Sequence, residues 1–330
     1  RLVGSELCIR DRDLRDLRVR EEEKNSSPAL VRGVAARLAE LGCRPAGFDA
    51  YVTSTVLSGS GLSSSAAYEI LVATIIDCFF GGGTLDPVER AKVGQYAENV
   101  YFGKPCGLMD QMGSSVGGAV AIDFADPAAP VVQKVEYDFA RSGHALCIVD
   151  TGSCHADLTD DYADITREMG AVAAHFGKKF LRDVDEGDFR AALPQLREEC
   201  GDRAVLRAMH FFEEDCRAEQ EAQALERGDF DAFLALVDQS GLSSALNLQN
   251  TWSAAAPQQQ AIPVALAVGR ELLGGSGAIR VHGGGFAGTI QAFVPNGKLE
   301  TFRRGMEELL GPGMCHILHI RPQGGCVVLK

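Results

Sequence analysis

Hydrophobic and polar positions fall into two textures along this chain. Before about Ser142, strand-like and helical segments alternate; after it, helical spacing dominates until a closing run of strands. Phe48 to Leu57 has the β-branched and aromatic content of a strand. It runs into the turn Ser58-Gly59-Ser60-Gly61-Leu62-Ser63-Ser64-Ser65. A helix is predicted from about Ser64 to Phe80, where Ala66, Ala67, Glu69, Leu71 and Ala73 are good formers and no Gly or Pro intervenes. Gly81-Gly82-Gly83 stops it. Asp86 followed by Pro87 is an N-cap with proline at the first helical position, and it opens a second helix to about Phe102. Ala119 to Phe124 and Ala145 to Val149 are expected strands.

From Tyr162 the pattern is helical, broken near Gly177, Gly201 and Gly228. Within it, Ala204 to Glu226 places Val205, Leu206, Met209, Phe212 and Cys216 at helical spacing between charges. A helix over about Pro257 to Leu273 precedes a strand, Arg280-Val281-His282, then a glycine loop and a strand over Thr289 to Val294. A helix (Lys298 to Leu309) and strands at Cys315 to Ile320 and Cys326 to Leu329 close the chain. No repeat or low-complexity tract interrupts this order. The expected division is 13–142 and 143–330, with residues 1–12 set apart.

At roughly 150 residues per domain, 330 residues fit about two domains. Thirty-two basic against 45 acidic side chains give a net charge of −13, which argues against nucleic acid or an anionic membrane as partner. The longest apolar run, Ile70 to Phe80, is interrupted by Asp77 and falls short of the roughly 18 residues of a membrane span. The 10 cysteines are scattered, and no pair has the two-residue spacing of a zinc or redox site. They fit a reducing cytoplasm, with Cys78, Cys147 and Cys326 inside apolar runs as small hydrophobes. Nothing in the pattern fixes an oligomeric state.

The serine-rich turn carries the first chemistry. Glycines let backbone approach a ligand, and the helix start behind them offers free N–H groups and partial positive charge, which suits a di- or triphosphate. Serine hydroxyls there can ligate Mg²⁺ or phosphate oxygens. No Lys follows the last glycine, so this is not a Walker A loop. The alternative is a helix N-cap whose serines only solvate the turn.

Strand–GSGLSSSAA–helix resembles the second signature of the GHMP small-molecule kinases. Two further segments match in order. Gly103-Lys104-Pro105-Cys106-Gly107-Leu108-Met109-Asp110-Gln111 is similar to the segment that sets the galactokinase branch apart. Gly283-Gly284-Gly285-Phe286-Ala287-Gly288 resembles the third signature, a glycine loop that buttresses the nucleotide site. The resemblance runs from about Ala29 to the C-terminus. It implies an α+β, two-domain GHMP kinase fold: a ribosomal-protein-S5-domain-2-like first domain, incomplete at its start, and a ferredoxin-like α+β second domain.

It also implies ATP-dependent phosphorylation of a sugar, galactose, at the anomeric hydroxyl. Asp110 would orient or deprotonate that hydroxyl, Gly107 would place its N–H beside the sugar, and Tyr162 would contact it. Gly59, Ser60, Gly61, Leu62, Ser63, Ser64 and Ser65 would cradle ATP together with Gly284 and Gly285. Ser65 and Glu98, the latter twelve residues before Asp110, would hold Mg²⁺. His282 stands where the family usually has Thr, Ala287 replaces a Gly, and Leu57-Ser58 replace a Pro-containing approach. Trp252 is assigned to packing. A different class remains open, a non-catalytic sugar and ATP sensor, as does a kinase for another sugar such as N-acetylgalactosamine.

The family's first signature, an Arg and a Glu-His-x-Asp run that grips the sugar, has no match here. Between Arg10 and Lys24 the two signs balance at six each. Residues 1–12 are read as a non-native start, and on that reading these 330 residues are not expected to turn over by themselves.

Overall fold

The computed structural model describes residues 5–9 (backbone only), 14, 16–56, 62–126, 128–153 and 158–328. The chain divides into two compact units, one of residues 1–123, 130–134 and 321–330, the other of 124–129 and 135–320. It crosses between units more than once, which a single cut at Ser142 does not describe.

In the first unit, β1 (Ser5–Ile9) pairs antiparallel with β2 (Ala50–Ser54), Leu7 opposite Val52. Between them runs α1 (Ser27–Glu40), a helix with Pro28 in its first turn that the sequence reading did not name. Next comes α2 (Ser64–Ile76), continued by one wider turn over Asp77–Gly81 and closed by Gly82 at φ 84°. The Asp86 carboxylate accepts from Val88 N at 2.8 Å and starts α3 (Pro87–Tyr96), which a second wide turn, Ala97–Phe102, prolongs as expected. A short α4 (Met109–Val116) follows, then the two-stranded sheet of β3 (Ala119–Asp123) and β4 (Val131–Val135). Val31, Val34, Ala35, Leu38, Val72, Ala73, Ile76, Val93 and Ala97 form the core between the first three helices.

The α2 segment corrects the estimate of apolar length. Over Ser64–Gly81 it is an 18-residue helix of mean hydropathy 1.3, enough by length and composition to cross a bilayer. It packs instead against α1, α3 and α4 and carries the buried polar groups Glu69 and Asp77. Asp77 does not end the helix because its carboxylate is partnered, accepting from Leu85 N at 3.1 Å with Arg90 at 3.9 Å.

The expected last strand is also corrected. Residues 326–328 form none, because the returning segment gives its backbone bonds to the end of α4: Gly324 N donates to Val116 O and Gly325 N to Ser114 O. A Cβ on Gly324 would lie 2.0 Å from Ser115 O, so the approach is close. Cys326 is exposed rather than packed.

The second unit begins with β5 (His144–Asp150) and then α5 (Thr159–His175), α6 (Glu186–Ala191), α7 (Leu193–Glu199), α8 (Asp202–Glu226) and α9 (Phe230–Ser243). After them come α10 (Ala261–Leu273), β6 (Ala278–Val281), β7 (Thr289–Pro295), α11 (Leu299–Leu310) and β8 (Cys315–Leu318). Helix α10 starts at Ala261 rather than Pro257, since residues 257 and 258 form a turn. The sheet is antiparallel in the order β6-β7-β5-β8. Ile262, Leu266, Leu273, Phe302 and Met306 of α10 and α11 cover it over Cys147, Val149, Ile279 and Ile290. A second core, including Val172, Phe189, Leu196, Val205 and Phe212, joins α5 to α8. On α8 the apolar stripe is narrower than its spacing suggested: Cys216 is exposed, whereas Arg207 and His210 are buried.

Candidate active site

The first unit brings together side chains from three helices. Ser65, in the first turn of α2, donates through Oγ to Glu98 Oε1 at 3.0 Å. Glu98 lies in the wide turn after α3 and is 3% exposed. Its other oxygen, Oε2, accepts from Gln111 Nε2 of α4 at 2.9 Å, and the same amide nitrogen donates to Glu69 Oε2 of α2 at 3.1 Å. Lys104 Nζ stands 3.8 Å from Glu98 Oε1. Asp110 sits exposed in the first turn of α4, where the helix dipole favours an anion. Ser63 caps α2 from a left-handed conformation, φ 52° and ψ 52°, unusual for a non-glycine residue and a mark of a constrained loop.

Burial, then the neighbouring Glu98 carboxylate, pushes the Glu69 carboxyl up to about 8. One negative charge is thereby kept off a pair of buried carboxyls. Burial, then Glu98, pushes the Cys106 thiol up to about 12, so it is not a nucleophile at neutral pH.

In the second unit the glycine loop is held from several sides. A Cβ on Gly285, at φ 81°, would lie 2.1 Å from Asn250 O, a position only glycine can fill. Asn250 Nδ2 donates to Gly284 O at 3.0 Å, and Phe286 N donates to Asn250 O at 2.5 Å. Tyr162 Oη donates to Gly285 O at 2.9 Å while its ring meets Phe286 edge-on at 5.3 Å. At the loop's far end, Thr151 Oγ1 donates to Gly288 O at 2.6 Å and Gly288 N donates to Ser153 Oγ at 3.0 Å. Behind it, buried Arg207 donates to Glu168 of α5 at 2.9 Å and to Leu248 O at 3.2 Å, fixing both segments that touch the loop.

Of the expected site residues, Ser65 and Glu98 are in contact, and Asp110 lies beside Gln111, which reaches Glu98. Gly107 is exposed two residues before α4. Leu62, Ser63 and Ser64 lead into α2, while Gly59, Ser60 and Gly61 lie outside the described residues. Tyr162, Gly284 and Gly285 come together with one another. The sequence reading missed Glu69, Gln111 and Asn250. A polar side chain on the apolar helix α2 was the available sign for Glu69; Asn250 lay in a stretch without recognisable pattern.

Residues 29–118 match the family described as GHMP kinases N terminal domain. The chain is 32% identical to a galactokinase of Streptomyces coelicolor over 301 residues, which is 90% of this chain and 75% of that protein. The chain belongs to the GHMP kinase family. It is also 31% identical to a galactokinase of Actinobacillus pleuropneumoniae serotype 5b, spanning 78% of this chain and 64% of that relative's length. Among solved structures, a Lactococcus lactis galactokinase complexed with galactose aligns with TM-score 0.69 at 22% identity, covering 91% of this chain and 76% of that one. A mevalonate kinase of L. major in complex with R-mevalonate aligns with TM-score 0.56 at 12% identity, over 90% and 77%. These likenesses carry the two-domain α+β GHMP fold.

Metal ions commonly neutralise the phosphates in phosphoryl transfer, and the donor set here can be compared with what Mg²⁺ takes. Mg²⁺ binds few protein oxygens and keeps several waters. The Ser65 hydroxyl and Glu98 Oε1 are two hard oxygens 3.0 Å apart, with the carboxylate already fixed through its other oxygen.

Proposed function

We propose that the whole protein transfers the γ-phosphoryl group of ATP to the anomeric hydroxyl of a sugar, galactose being the acceptor its relatives' names favour. The observation that carries this reading is the contact of Ser65 with Glu98, joined through Gln111 to the helix that presents Asp110.

In this reading the Gly59–Ser65 turn and the α2 N-terminus receive the phosphates. Ser65 and Glu98 would hold Mg²⁺, which would neutralise phosphate charge. Gly107 N–H and Asp110 hold the sugar. The hydroxyl oxygen attacks the γ-phosphorus as its proton passes to the Asp110 carboxylate. A new O–P bond forms, the bond to the β-phosphate oxygen breaks, and ADP leaves. Tyr162, with its hydroxyl on Gly285 O, acts by shaping the glycine loop.

A panel of sugars incubated with the whole protein, ATP and Mg²⁺ tests the assignment by its products. Galactose 1-phosphate as the main product supports it. Another sugar phosphate moves the substrate, and binding of ATP and sugar without product supports a sensor.

A further inference from the structure

Gln111 follows Asp110 directly but lies in the opposite surroundings: Asp110 is exposed, and Gln111 is 1% exposed. Its amide nitrogen carries two hydrogens and meets two carboxyl groups, Glu69 Oε2 at 3.1 Å and Glu98 Oε2 at 2.9 Å, with the Cys106 sulfur at 3.6 Å. Turning the amide over would set its oxygen against the Glu98 carboxylate in place of a donor. Room for the arrangement comes from α3: a Cβ on Gly94 would lie 3.1 Å from Gln111 Cγ and 3.1 Å from Glu69 Oε2. With Oε2 engaged, Glu98 is left with Oε1 turned toward Ser65.

We propose that Gln111 is a positioning residue, whose amide, anchored on Glu69, holds Glu98 so that Oε1 is presented beside Ser65 to a divalent cation. It also couples that carboxylate to the helix bearing Asp110. This rests on the Ser65–Glu98 reading above. A carboxylate held on one oxygen binds metal without first losing rotational freedom, and such supporting partners are worth about 10–100-fold in metal affinity.

The test is Mn²⁺ binding to the protein with ADP present, followed by the electron paramagnetic resonance signal of free Mn²⁺. Gln111→Met is expected to weaken binding about tenfold or more while the circular dichroism spectrum stays native. Gln111→Asn, too short to bridge both carboxyls, shifts it in the same direction. Because Gln111 acts through Glu98, the double variant Gln111→Met/Glu98→Ala binds no more weakly than Glu98→Ala alone. Wild-type affinity in a folded Gln111→Met or Gln111→Asn variant, or additive losses in the double variant, overturns the role of Gln111. Unchanged Mn²⁺ affinity in Glu98→Ala overturns the Ser65–Glu98 reading itself, which separates the two failures.

Discussion

Tyr162 shows how a single side chain is tied to the glycine loop. Its place in the sequence implied a sugar contact, and its hydroxyl donates to Gly285 O at 2.9 Å. Tyr162→Phe is therefore expected to cost about 1 kcal/mol of stability, read by urea unfolding. Sugar affinity should stay within about threefold of the parent, and a tenfold loss would restore the direct contact. His210 is the converse, a residue the sequence offered no reason to notice. It is 8% exposed, with Nδ1 2.9 Å from Ser243 Oγ. Burial, then the positive charges of Arg280 and Arg217, lowers its imidazole from 6.5 to about 4. Between those values the unfolded chain takes up a proton that the folded chain refuses. Stability therefore falls as pH drops from about 6.5 to 4, by at most roughly 3 kcal/mol. Unfolding free energies across that range should slope less steeply in His210→Asn, and an unchanged slope would show that other groups carry the acid sensitivity.

At the scale of elements, the helices with strong local signals were readable. Asp86-Pro87 opened α3, and the Gly81–Gly83 run closed α2 through Gly82. The short α4 escaped because its eight residues include a glycine and two serines, and its stability comes from packing on α2 and α3. The last strand failed for the opposite reason: Cys326-Val327-Val328 is strand-like, but the preceding glycines spend its approach on α4 carbonyls. Contact between α2, α3 and α4 also sets a test. Gly94→Val on α3 would press on Glu69 and Gln111 and is expected to cost about 1–3 kcal/mol. Chemical denaturation measures this, and a neutral result would mean that α3 can shift away without loss.

For the molecule as a whole, the α+β class and its two-part organisation were legible because the three glycine- and serine-bearing segments recur in a fixed order around recognisable helices. The path of the chain was not, since residues 321–328 return to the first unit through backbone bonds that no side-chain pattern encodes. The candidate site was half legible. Ser65, Glu98 and Asp110 follow from motifs, whereas Glu69 and Gln111 matter through their burial against one another, which only the packed helices reveal. Phosphorus NMR of the whole protein with ATP, Mg²⁺ and galactose, set beside its Asp110→Asn variant, tests the central claim most directly. The account predicts a sugar 1-phosphate resonance from the parent and its loss, by about 100-fold or more in rate, in a variant that still binds ATP. Equal product from Asp110→Asn, or phosphate appearing on a hydroxyl other than the anomeric one, would contradict it.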